Sequence, residues 1–218
     1  VVVQEPAQAR VDYPRRDGVK AETTTIRLPA AQRRRQLLEV ARHVLAKRGF
    51  YQTTMAEIAD SAGVTKPVLY QHFASKRDLY TAVLRDVGAR LRDTVITAAA
   101  NADTPRQQAF AGFDAYVRFV EADTEGFQIL FSGTSRQDGE WATITREVEH
   151  SIAAGVADLI DVPEISAVHR QAIAHGILGL AEGMMRYWQS GRAGDLNRDD
   201  LVNDLVALAW SGLRGIEG

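Results

Sequence analysis

Residues 66 to 72 bring together an ammonium on Lys66, a phenol on Tyr70, a carboxamide on Gln71 and an imidazole on His72. Groups of this kind donate to phosphate oxygens and read base edges, and a helix that presents them near its N-terminus has the chemistry of a helix lying in a DNA major groove. Val64, Leu69 and Phe73 are spaced to face a core, which leaves the polar set pointing outward. Thr65 can cap such a helix. Pro67 is tolerated in its first turn, where the missing N–H would be unbonded anyway.

The elements needed to hold this helix are legible on both sides of it. Thr54 and Glu57 form a capping box that starts a short helix with Ile58, Ala59 and Ala62 on one face. Gly63 stands where a chain leaving a helix needs a left-handed residue. Upstream, Leu37, Leu38, Ala41, Val44 and Leu45 recur at helical spacing from Pro29 and are closed by Gly49. Downstream, Ser75 and Asp78 form a second box, opening a helix through Leu79, Val83, Leu84, Val87, Leu91 and Val95 toward Ala100. That helix, of about 25 residues, is a rod of nearly 40 Å, long enough to begin under a reading head and end inside a second domain. The pattern is a helix-turn-helix with a supporting helix and a connector.

ARHVLAKRGF (41–50), TTMAEIADSAGV (53–64), TKPVLYQHF (65–73) and SKRDLY (75–80) together resemble the DNA-binding domain of the tetracycline-repressor (TetR) family of transcriptional regulators. KPVLYQHF is also similar to the corresponding stretch of actinobacterial regulators of lipid metabolism. The resemblance implies that Thr65, Lys66, Pro67, Val68, Tyr70, Gln71 and His72 approach bases or phosphates, with Thr54 and Lys76 at phosphate-contacting helix starts. Gln71 can pair with adenine, Lys66 can donate to guanine, and Val68 or Pro67 can pack on a thymine methyl. Thr54, Tyr70, His72 and the Lys76 amine can bond phosphate oxygens. Many family members carry a basic or polar residue where this chain has Ala56, so one contact of the first short helix is missing. Of Arg33, Arg34 and Arg35, which point about 100° apart on a helix, one can reach a phosphate.

Charge divides the 218-residue chain. Residues 1–80 carry 14 Lys and Arg against 8 acids, net +6, whereas residues 81–218 carry 12 Arg against 20 acids, net −8. A basic N-terminal part suits phosphate, and an acidic remainder suits another partner. The absence of cysteine excludes disulfides and thiolate metal sites. No apolar run reaches the roughly 18 residues of a membrane span, and the N-terminal stretch lacks the form of a secretion signal, so a cytoplasmic protein with no membrane partner is expected. The five histidines are isolated by spacing. With no HExxH and no glycine-rich phosphate loop, no enzyme, metal or cofactor is expected.

An all-α fold of about nine helices is predicted, with three parts: a flexible arm over 1–28, a DNA-binding domain over 29–75 and an effector-binding and dimerisation domain over 76–218. Arg10, Arg15, Arg16, Lys20 and Arg27 can let the arm touch DNA. The later helices are placed from Thr104, over 124–132, 141–160 and 163–189, and from Asn197 or Asp199 to Leu213, with a loop over 133–139. Phe110, Phe113, Tyr116, Phe127, Phe131, Trp141 and His150 are candidates for the wall of a small-molecule pocket, though aromatics at helical spacing also build plain cores. The resemblance implies an apolar or amphipathic effector, fatty-acyl among the options. Gly176, Gly179 and Gly183 suggest close helix packing, either within the chain or across a dimer seam. With Ile173, Ile177, Leu180, Met184, Leu205 and Trp210 they are the candidate interface of a homodimer. The favoured function is a ligand-responsive repressor on a palindromic operator. Two alternatives stand: a helical ligand-binding protein whose N-terminal domain contacts protein, and a regulator without an effector.

Overall fold

Two lengths of helix meet at Gly49, where the backbone takes φ 75° and ψ 165°, a conformation only glycine adopts without strain. In the computed structural model, which describes residues 29–132, 138–160 and 165–214, this is the kink near the end of α1 (Ala30–Gln52). Past it, Phe50 turns inward and Thr53 Oγ1 donates to the Gly49 carbonyl at 2.8 Å. α2 (Met55–Ser61) follows, opened by the capping box of Thr54 and Glu57. Gly63, at φ 64°, turns the chain into α3 (Lys66–His72). α4 (Lys76–Ala100) begins with the Ser75 hydroxyl accepting from the Asp78 amide, while the Asp78 carboxylate reaches the amide of Ala74.

The body is made of α5 (Pro105–Ala122), α6 (Thr124–Leu130), α7 (Gly139–Leu159), α8 (Ala167–Gln189) and α9 (Arg198–Arg214). α5 starts as its Thr104-Pro105 sequence predicts, with the Thr104 hydroxyl accepting from the Gln107 amide. Nine helices and no strand occur among the described residues. α7 begins two residues earlier than the apolar pattern suggested, because Asp138 supplies the cap, and α8 begins at Ala167 rather than 163 because Ser166 caps it. The arm over 1–28 and most of the expected loop, 133–137, lie outside the described residues. No helix among those described is long and apolar enough to cross a membrane.

One apolar core runs from Leu37 in α1 to Ala209 in α9, so the helix-turn-helix and the body share it. α4 is its axis, packed by α1 at one end and by α5 and α7 along its length. Where α4 and α7 cross, the fit is tight: a Cβ at Gly155 would lie 2.8 Å from Ile96 Cδ1. Where α1 and the start of α4 meet the body, Phe50, Tyr80 and Trp141 pack with their rings tilted or edge to face, with Phe50–Trp141 and Tyr80–Trp141 centroids 4.4 and 4.5 Å apart. Arg77 covers the Trp141 ring and binds Asp138 and Glu140 at 3.0 and 2.8 Å.

Candidate nucleic-acid interface and cavity

α3 is held by what lies beneath it. Leu69 is fully buried and Phe73 nearly so, and this register turns Thr65, Lys66, Pro67, Tyr70 and Gln71 to solvent. Tyr70 is half exposed, a large exposure for an aromatic ring with no apolar reason to be there. Val68 and His72 are half-buried at the edges of this face. Thr65 occupies the cap position, yet its hydroxyl makes no capping bond, which leaves it available. Pro67 removes one first-turn amide, and the Val68 amide bonds the Thr65 carbonyl at 3.0 Å.

Three basic side chains have structural work that the sequence did not predict. Arg34 Nη1 donates to the His72 carbonyl at 2.9 Å and lies 4.4 Å over the Phe73 ring, so it closes the C-terminal end of α3. Lys76 Nζ donates to the Phe50 and Thr53 carbonyls, both at 2.8 Å, and sits over the Phe50 ring. Here the ammonium is a strut that ties the start of α4 to the carbonyls that follow the Gly49 kink. Arg48 pairs with Glu57, joining α1 to α2. The Thr54 amide and hydroxyl hold the Glu57 carboxyl below its ordinary value, with Arg48 and Lys76 adding to the effect. The Thr54 hydroxyl is engaged in that box, both accepting from the Glu57 amide and donating to its carboxylate.

In the body, α4, α5, α7, α8 and α9 line a cavity of about 730 Å³ that is open on one side. Of the seven predicted wall residues, Phe113, Tyr116 and Phe131 line it. Burial raises the Tyr116 phenol above its ordinary range. The other four are corrected. Phe110 is 46% exposed on the outer side of α5. Phe127 packs behind Phe131, the ring centroids 4.8 Å apart. Trp141 is sealed in the junction between head and body, and His150 is exposed, its ring 5.8 Å from that of His175, which does line the cavity. Sequence reasoning missed Leu91, Val95, Ile96, Ile152, Val156 and Leu178, which supply much of the apolar wall. Aliphatic residues at helical spacing carry no signal that separates a wall from a packed core.

Along α8, Gly176, Gly179 and Gly183 are exposed, and a Cβ at any of them would meet no atom within 4 Å. Close packing within the chain is therefore not their reason. Val168 and Tyr187 continue the same exposed side. Ile173, Ile177, Leu180 and Met184 are half-buried beside it. Two interface candidates are corrected: Leu205 is fully buried in the core, and Trp210 is half-buried against the cavity. No group of three or more potential metal ligands occurs among the described residues.

The family model described as bacterial regulatory proteins, tetR family, matches residues 37–83, the stretch from the core of α1 into α4. The HTH-type transcriptional activator FasR of Mycolicibacterium smegmatis is 36% identical over 188 residues, 86% of this chain and 85% of that protein. The HTH-type transcriptional repressor KstR2 of Mycobacterium tuberculosis is 39% identical over a shorter 87 residues, 38% of this chain and 44% of that protein. Among solved structures, a TetR-like regulator from Rhodococcus sp. RHA1 superposes with a TM-score of 0.65 at 27% identity, covering 87% of this chain and all of that one. The fatty acid degradation regulator FadR of Bacillus halodurans shares the fold, with a TM-score of 0.69 at 18% identity over 85% of this chain and 96% of its own.

Proposed function

The chain belongs to the TetR family of bacterial regulatory proteins, and on that footing we propose that it is a ligand-responsive regulator that binds a palindromic operator as a homodimer. It is a DNA-binding transcription regulator and not an enzyme. The observation that carries the reading is the outer face of α3, where Thr65, Lys66, Tyr70 and Gln71 are exposed over a buried Leu69. Residues 29–75 act as the reading domain, with Lys66 and Gln71 directed at base edges and Tyr70, His72 and the α2 start at Thr54 directed at phosphates. Residues 76–218 form the effector and dimer domain, and its place of action is the cytoplasm, where the DNA is.

Two reading helices must stand about 34–36 Å apart to enter successive major grooves. The exposed glycines of α8 support a two-fold pairing there, because glycines let two backbones approach closely. A cavity of about 730 Å³ with a largely aliphatic wall supports an apolar or amphipathic effector with an acyl-like chain. An effector that favours another position of α4 changes the spacing of the heads, so effector and DNA affect each other's binding reciprocally. We place the protein as a repressor. The name of FasR favours the second reading, an activator.

Selection of bound fragments from genomic DNA, followed by titration over a salt series, tests the proposal. A palindromic site bound by the dimer is expected, with affinity reduced in Lys66→Ala and Tyr70→Ala. No selected fragment at low salt, or binding indifferent to both substitutions, rejects it. Placing the selected site before a reporter gene separates repressor from activator.

A further inference from the structure

Asp123 is the one buried charged side chain among the described residues, 6% exposed at the corner between α5 and α6. Its carboxylate gathers three elements. One oxygen accepts from the Gly126 amide at 2.8 Å, capping α6, and pairs with Arg42 of α1. The other accepts from Arg90 Nη2 of α4 at 2.8 Å. Gly126 leaves the room this needs, since a Cβ there would lie 2.7 Å from both carboxylate oxygens. Arg42 is itself mostly buried, and its Nε has no partner. Beside this junction His43 of α1 meets Glu125 of α6 at 2.7 Å.

The position of the junction matters as much as its chemistry. α1 packs against α6 of the body and against α4, and the same helix holds α3 through Arg34 and α2 through Arg48. On the other side, Arg90 directly precedes Leu91, a cavity wall residue, and α6 ends against Phe131, another. A carboxylate facing two guanidiniums at this depth holds only while all three helices keep their places, because separation strands a charge away from water. We infer that Asp123 is the positioning residue through which the state of the cavity sets the angle of the reading head. A ligand that shifts α4 or α6 moves Arg90 and Asp123 together, and Arg42 carries α1 with them. The inference rests on the effector reading proposed above.

Asp123→Asn tests it, since asparagine keeps the acceptor for the Gly126 amide and nearly the same volume while losing the charge. Arg42→Gln is the second variant, which leaves the cap and the Arg90 bond in place, and Arg42→Lys is its charge-retaining control. The probe is cis-parinaric acid, a fluorescent fatty acid, with the operator fragment selected as described. In the wild type, saturating parinarate is expected to change DNA affinity by about 5- to 100-fold. In Asp123→Asn and Arg42→Gln parinarate binds as before, yet the ratio falls below about 2-fold, and Arg42→Lys restores part of it. A merely structural role would lower thermal stability and leave the ratio intact. If both variants bind parinarate and keep the wild-type ratio, or if Asp123→Asn does not fold and Arg42→Gln keeps it, the junction has no such role. If the wild type fails to bind parinarate, or binds it without any change in DNA affinity, the effector reading itself falls, and this inference with it.

Discussion

Replacing Lys76 with methionine distinguishes a strut from a phosphate ligand. Methionine keeps an unbranched stem against the Phe50 ring but removes the ammonium that donates to the Phe50 and Thr53 carbonyls. Thr53 is fully buried, so its carbonyl gains little water in exchange. Bonds from charged donors contribute about 1.5–3 kcal/mol each, and the Lys76 site is half-buried, so part of that value is recovered by hydration. The net loss is about 2–3 kcal/mol. At roughly 2–4 °C per kcal/mol for a chain of this size, the melting temperature should fall by about 4–12 °C. Circular dichroism melts measure this. DNA titrations between 50 and 200 mM salt supply the second readout, because each phosphate contact contributes about 0.9 to the slope of log affinity against log salt. The slope should be unchanged in Lys76→Met. A Lys76→Met protein that melts like the wild type and loses about 1 from its slope would refute the strut and restore the phosphate role.

Trp141→Ala should cost about 3–5 kcal/mol, since the ring is fully buried against Phe50 and Tyr80. Urea unfolding with an unchanged midpoint would contradict this. Gly183→Leu should not destabilise the isolated subunit, where a Cβ would meet no atom within 4 Å, yet should shift the dimer toward monomer; sedimentation velocity showing an intact dimer removes this side of α8 from the seam. The Glu57 carboxyl is held below its ordinary value of 4.5, so its contribution is present above that pH and lost as pH falls through the lower folded value. Wild-type protein should therefore lose more thermal stability between pH 5 and pH 3 than Glu57→Gln, and parallel melting curves would count against the capping box as a source of acid sensitivity.

Much of the reading head was legible because its determinants are local. Thr54 with Glu57, Gly63, and Ser75 with Asp78 act within a turn of one another; the first box forms in full and Gly63 takes its left-handed turn, while the Asp78 carboxylate bonds the Ala74 amide rather than that of Ser75. The aromatic residues behaved differently. Phe113, Tyr116 and Phe131 reach the cavity, whereas Phe110, with the same side chain and comparable spacing, faces outward, and Trp141 joins the head to the body. Nothing in a single helix's periodicity distinguishes these fates, since each depends on what the neighbouring helix leaves open. The α8 glycines lie between the two cases: their spacing marked one side of a helix, and the empty space above their Cβ positions excluded an intramolecular partner.

By itself the sequence determined the all-α architecture, the starts of the helices other than α7 and α8, and the outward set on α3. Caps, turns and helical periodicity are interactions between residues three or four apart, and they hold wherever the segment is placed. Tertiary structure alone decided the partners of Lys76, which lie 23 and 26 residues upstream, and those of Asp123, which come from α1 and α4. Those bonds exist because packing brings distant segments to hydrogen-bonding distance. A charged side chain that the sequence leaves open to phosphate or solvent is committed once the fold sets a carbonyl or a carboxylate beside it.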